Sequence, residues 1–242
     1  MPNPSHTHIV DPVRIESSTM LDNPVWHALS QRHVRFSEGD GRAKRYLPEV
    51  TSLAGTVDSS AESYLELAEM LRSGQMAGLF LEAPSSSLPG CDIVRGLPLN
   101  QMVWEGGHVV ANNPGELLGK KDAQEMLALA ELTKPGPFAI RTIEMGRYIG
   151  IRKSGKLVAM AGERLRIPGY TEVSAVCTHP EHRGHGYASD LVVAMVETII
   201  QKGNIPFLHV AAENAAAIRV YEKLGFRARR ILHLAVVKRK SA

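Results

Sequence analysis

The stretch TEVSAVCTHPEHRGHGYASDLVVAM, residues 171–195, changes pattern twice. Val173, Ala175 and Cys177 alternate with more polar neighbours and stop at His179-Pro180, which suits a strand. The polar turn His182-Arg183-Gly184-His185-Gly186 follows. Then Ala188, Leu191, Val192, Met195, Val196, Ile199 and Ile200 recur at i, i+3, i+4, i+7, i+8, i+11 and i+12. That spacing predicts one buried stripe on a helix.

A strand feeding a glycine-rich turn and a helix start can hold phosphate. The first N–H groups of a helix have no intrahelical partners, and the helix dipole adds partial positive charge there. Gly184 and Gly186 have no side chain to keep an anion from the backbone, and Arg183 adds a positive charge. A tight strand-to-helix connection would use the same glycines for its backbone angles alone. No Gly-Lys-Ser/Thr follows, so the turn is not a Walker loop, and a full GxGxxG is absent.

Downstream, residues 206–211 read as a short buried strand, and Glu213-Asn214 opens a helix carrying Ile218, Tyr221 and Leu224. Asn214 suits the N-cap, Gly225 a left-handed residue past the end, and Phe226 an apolar contact just beyond.

Two separate motifs carry a family resemblance. Arg183-Gly184-His185-Gly186-Tyr187-Ala188 resembles the Arg/Gln-x-x-Gly-x-Gly/Ala signature of the GNAT superfamily, the acyl-CoA-dependent N-acyltransferases. Asn214-x-x-Ala217-x-x-x-Tyr221-x-x-x-Gly225-Phe226 resembles the second signature of that family, in the expected order. The resemblance covers residues 98–242 and implies an α/β (α+β) GNAT fold, a mixed, mostly antiparallel sheet flanked by helices. It implies acetyl transfer from acetyl-CoA (coenzyme A) to a primary amine, of a small molecule or a protein, by direct attack in a ternary complex.

The same resemblance assigns roles. Residues Arg183, Gly184, His185, Gly186, Tyr187 and Ala188 would grip the pyrophosphate, with Ser189 adding a hydroxyl. Val176 would offer its N–H to the thioester carbonyl, Cys177 and Thr178 further main-chain contacts, and Asn214 a contact to the cofactor or its pantetheine arm. Tyr221 would protonate the leaving thiolate. Glu172, eleven residues before Arg183, stands where the histone-acetylating branch has its general base. On a regular strand it would share a face with Ser174 and Val176 and point to the cleft. Glu163, Glu144 or a water relay compete for that role. Cys177 lacks an adjacent base and an orienting third group, so it reads as a small buried side chain rather than a nucleophile. Arg219 and Glu222 are expected to face solvent.

The 242 residues are 44% hydrophobic and 22% charged, an ordinary globular composition. No apolar run approaches the ~20 residues of a membrane span, and the first thirty residues lack a signal-peptide pattern. Two distant cysteines, Cys91 and Cys177, fit a reduced, cytoplasmic setting. A net charge of +3 with scattered basic residues gives no reason to expect nucleic acid. Arg227, Arg229, Arg230 and the tail Lys238-Arg239-Lys240 read as a solvated end. His6 and His8 fall in a polar start, and His179, His182 and His185 lack a carboxylate or thiolate at helical spacing, so no metal site is expected. A homodimer is compatible with the sequence.

The first 97 residues read as an α+β unit of unassigned role, with a degenerate copy of the second half as an alternative reading. A short helix follows Asn23-Pro24, two β-like runs lie within 42–57, a helix capped from Asp58-Ser59-Ser60 runs over 61–72 and is closed by Gly74, and 76–81 is a strand. Residues 83–91 are the most loop-like in the chain. From 98 onward, 101–105 reads as a strand and Asp122 starts a helix. A hairpin joins 147–152 to 157–165, and the strand from Thr171 follows the Pro168-Gly169 turn. Two other functions fit the same residues: a non-catalytic CoA-binding regulatory module, or an enzyme joining a longer acyl group to a glycine-like amino acid.

Overall fold

Pro24 fixes the first position of helix α1 (Pro24–Ser30), where its missing N–H costs nothing, and the helix buries Val25, Ala28 and Leu29. The computed structural model describes residues 19–106 and 111–241, so His6, His8 and the rest of the polar start lie outside the described residues. Strands β1 (Ser37–Glu38), β2 (Ala43–Tyr46) and β3 (Ala54–Thr56) form a small antiparallel sheet. Helix α2 (Ala61–Met70) starts where the Ser60 hydroxyl accepts the Ser63 N–H. It stops at Leu71, short of the expected end; Gly74 (φ +78°) lies in the turn beyond and does not cap it.

Among the described residues the large sheet has eight strands. They are β4 (Met76–Leu81), β5 (Cys91–Trp104), β6 (Glu116–Leu118), β7 (Tyr148–Lys153), β8 (Lys156–Ile167), β9 (Tyr170–Thr178), β10 (Ile205–Ala211) and β11 (Phe226–Arg239). Helices α3 (Ala123–Thr133), α4 (Tyr187–Gln201) and α5 (Ala215–Lys223) complete it. The strand order is β4-β11-β5-β10-β9-β8-β7-β6. Among the described strands of this sheet only β9 and β10 pair in parallel, joined by the crossover through α4. The consecutive antiparallel run β7-β8-β9 appears as expected, and Gly169 (φ +77°) takes the left-handed turn between β8 and β9.

The periodicity of α4 is a packing fact: Leu191, Val192, Met195, Val196 and Ile199 are buried against Ile149, Val158, Ala161 and Val173 of the sheet. Each such side chain contributes about 1.5–3 kcal/mol when fully buried. The stripe ends one residue early, because Ile200 is 41% exposed.

The expected division at residues 97/98 does not coincide with a break in the sheet. It falls inside β5, which pairs with β11 from Cys91 to Trp104. β4 also joins β11. Leu21, Val25, Leu29, Tyr46 and Leu53 share one core with Leu165, Ile167, Tyr170 and Phe207. The amino-terminal elements therefore pack on β8, β9 and β10 from behind the site described next.

Candidate functional site

β9 and β10 pair only over Tyr170–Ile205, Thr171–Pro206 and Glu172–Phe207, then part. Parting opens a cavity of about 510 Å³ between the second half of β9 and α5. Val176, Cys177 and Thr178 form one wall, residues 183–189 the mouth, and Ala216, Ala217, Val220 and Tyr221 of α5 the opposite wall.

Two bulges disturb the β8–β9 ladder. Ser174 pairs with Gly162 and Cys177 with Met160, so Ala175 and Val176 stand together opposite Ala161. Ala175 takes φ +53° to make this bulge. On the other side, Val173 pairs with Glu163 and Thr171 with Arg166, so Arg164 and Leu165 both face Glu172. These offsets end the regular alternation that would have put Glu172 and Val176 on one face.

At the cavity mouth Gly184 (φ +82°) and Gly186 (φ +78°) are both left-handed, and open space surrounds the position a Cβ would take on either. Among the described residues no hydrogen bond engages the main-chain N–H groups of 184–189; the first inward bond of the turn is Asp190 N–H to the Gly186 carbonyl at 3.0 Å. These donors, the α4 dipole and Arg183 together suit a diphosphate. His185 and Tyr187 stack with centroids 5.4 Å apart, and the Lys153 ammonium lies 5.5 Å from the Tyr187 ring centre.

Tyr221 faces the cavity from α5 and packs edge-on to Phe226 at 6.0 Å. Burial, with a smaller effect from the neighbouring Cys177, pushes its phenol up to about 12. Burial likewise pushes the Cys177 thiol up to about 11, against a hydrogen bond with Thr133. A thiol so held is protonated at neutral pH and is a poor nucleophile. Thr133, at the end of α3, lines the cavity and was invisible to motif reading. Nothing local in the sequence links α3 to β9.

Two expected site residues are not in the cavity. Asn214 is exposed, and its Oδ1 accepts the Ala217 N–H at 3.1 Å, so it serves α5 as the N-cap also foreseen for it. Glu172 is fully buried behind the site. Arg164 donates from Nε to Oε2 at 2.8 Å and from Nη2 to Oε1 at 2.6 Å. His209 Nδ1 lies 2.7 Å from Oε1, and the Leu165 N–H approaches Oε2 at 3.3 Å. Burial alone would raise this carboxyl, but Arg164 and His209 outweigh it and hold it at about 2. A carboxylate with its lone pairs so committed is a poor general base, which corrects the expectation for Glu172.

The competitors are also engaged. Glu163 is buried with Oε1 2.6 Å from Lys202 Nζ. Glu144 pairs with Arg141 at 3.0 Å, and those hydrogen bonds lower its carboxyl pKa. Among the described residues, no Asp or Glu lines the cavity. None of the described His, Cys, Asp and Glu residues gather in groups of three or more that could hold a metal, and no described helix is long and apolar enough to cross a membrane. Arg219 and Glu222 are exposed, as expected.

A left-handed glycine turn, a bulged strand and a phenol meet around one cleft, an arrangement suited to an acyl-CoA-dependent N-acyltransferase. The comparisons agree with that class. The family model described as FR47-like protein matches residues 148–233. A putative acetyltransferase of the GNAT family from Novosphingobium aromaticivorans shares 38% identity and a TM-score of 0.85, over 91% of this chain and 99% of that one. The chain belongs to the GNAT family of acetyltransferases. The N-alpha-acetyltransferase RimI of Mycobacterium tuberculosis is 33% identical over 82 residues, 33% of this chain. That match spans only about half, 51%, of the curated relative. A GCN5-related N-acetyltransferase from Kribbella flavida, 19% identical with a TM-score of 0.58 over 90% of this chain and 95% of that one, shares the fold.

Proposed function

We propose that the protein transfers an acetyl group from acetyl-CoA to a primary amine by direct attack in a ternary complex. The observation that carries this reading is the parting of β9 from β10 beyond Glu172 and Phe207, with free amides at one end of the gap and Tyr221 beside it. Bound acetyl-CoA supplies an activated thioester.

The amides of 184–189 and Arg183 hold its diphosphate. Main-chain groups of Val176, Cys177 and Thr178 line the arm that reaches inward. The Ala175–Val176 bulge interrupts the regular ladder, and the Val176 N–H meets the negative charge that grows on the carbonyl oxygen. Holding both reactants in the cleft removes much of the entropic barrier.

When the amine attacks, a C–N bond forms, the C–S bond breaks, and one proton leaves nitrogen while one is gained by sulfur. Tyr221 keeps its proton throughout the neutral range and donates it toward the departing sulfur. With Glu172, Glu163 and Glu144 paired elsewhere, the nitrogen proton leaves through water in the open cavity.

Calorimetric titration with CoA and thiol release with acetyl-CoA over a broad amine panel test this together. Binding in the cavity with turnover supports it. Tight CoA binding without thiol release from any amine would instead leave a regulatory binding module, and no binding at all would end both readings.

A further inference from the structure

A second cleft lies across the β9 bulge from the cofactor cavity. Tyr148, Arg164, Ser174, Ala175 and residues 135–138 line it. The two spaces are neighbours along the chain on both sides: Ala175 of the cleft precedes Val176 of the cavity, and Pro135 follows two residues after Thr133.

The cleft contains donors without acceptors. Tyr148 is 1% exposed and among the described residues its hydroxyl has no hydrogen-bond partner. Leaving such a group unpaired costs about 1–3 kcal/mol, so its lack of a partner needs an explanation. Arg164, 7% exposed, spends Nε and Nη2 on Glu172. Its Nη1 would stand 3.7 Å from a Cβ at position 136, where Gly136 offers none to cover it. Among the described residues no group accepts from Nη1.

A water does not answer for the Tyr148 hydroxyl, because the cleft as closed has no room for one. The covering segment is lightly held. Pro135 and Pro137 have no N–H, Gly136 takes φ +132°, and among the described residues no hydrogen bond involves the main chain of 135–138. Lifting it costs packing, chiefly that of Phe138 edge-on to Tyr148 at 6.0 Å.

We propose that this cleft is the acceptor subsite and receives a carboxylate, so that the acetylated amine is an amino-acid-like molecule with its carboxylate close to the amino group. The two donors that line this cleft, Tyr148 Oη and Arg164 Nη1, would serve the two oxygens of a carboxylate. A carboxamide would turn an NH2 toward one of them. Because the Arg164 charge is shared with Glu172, recognition rests on those hydrogen bonds more than on net charge. The amino group then lies toward the bulge, on the side where Val176 faces the thioester. This rests on the acyl-transfer reading above.

The test measures acetyl-CoA-dependent thiol release with L-alanine, L-phenylalanine and L-lysine, with the carboxamide of each, and with the matching amines lacking the carboxyl. Wild type and Tyr148→Phe are compared, with Gly136→Ala, whose Cβ would cover Arg164 Nη1, as a second variant should the first not fold. The expected result is a KM about tenfold or more lower for the carboxylates, a preference that Tyr148→Phe erases while the KM for acetyl-CoA and the melting temperature hold. Equal KM values across the three classes, or a preference that survives both variants, overturns the subsite and leaves acetyl transfer standing. Absence of thiol release from every amine overturns the subsite and acetyl transfer together.

Discussion

Arg164 grips Glu172 side-on from the neighbouring strand, Nε to Oε2 at 2.8 Å and Nη2 to Oε1 at 2.6 Å. The bulge sets Arg164 and Leu165 together against Glu172, and the Arg164 guanidinium and the Leu165 N–H occupy both carboxylate oxygens.

Glu172→Gln should therefore act on stability. Breaking a buried pair by removing one partner costs about 3–5 kcal/mol, which a denaturant midpoint will register. The shape of the pH–rate profile should stay as in wild type; a selective loss at neutral pH that high pH restores would return Glu172 to the role of base.

The same pair predicts acid sensitivity. The Glu172 carboxyl is depressed in the folded protein, to about 2 from 4.5. Its contribution is thus fully present above pH 4.5 and is lost as pH falls toward 2. The shift corresponds to about 3 kcal/mol. Unfolding free energies of wild type and Glu172→Gln measured from pH 6 to 2 should converge across that window.

Tyr221→Phe should lower kcat by about 10²-fold, the lower range for a positioned proton donor, while CoA affinity by titration stays near wild type. Since the phenol sits at about 12, wild-type activity should show no descending limb from Tyr221 below pH 10. A descending limb near pH 8 that vanishes in Tyr221→Phe would overturn its assignment as the donor.

Gly186→Ala meets no steric block, yet forces a side chain onto φ +78°. That strain is about 1–2 kcal/mol, so a tenfold weaker CoA complex is expected, read by calorimetry. Unchanged affinity would mean that the turn does not hold the diphosphate.

Cys177→Ala should keep turnover within about threefold, because a thiol held near 11 supplies no nucleophile at neutral pH. Trapping an acetylated Cys177 by mass spectrometry would contradict direct attack.

Much of this protein was legible in its residues. The α4 stripe, the β7-β8-β9 run, the glycine turn and the Asn214 cap depend on neighbours within a few positions, and local periodicity and backbone preference report such neighbours directly. Tyr221 came from motif spacing and does face the cavity. What tertiary structure decided was every assignment that required register. Two bulges, one on each strand of the β8–β9 pair, ended the alternation that would have put Glu172 and Val176 on one face. The continuous pairing of β5 with β11 tied the first ninety-odd residues to the rest. A bulge shifts the facing of a strand by one residue, and which strand bears it depends on partners far away in the chain, so alternation read along one segment could not reveal it.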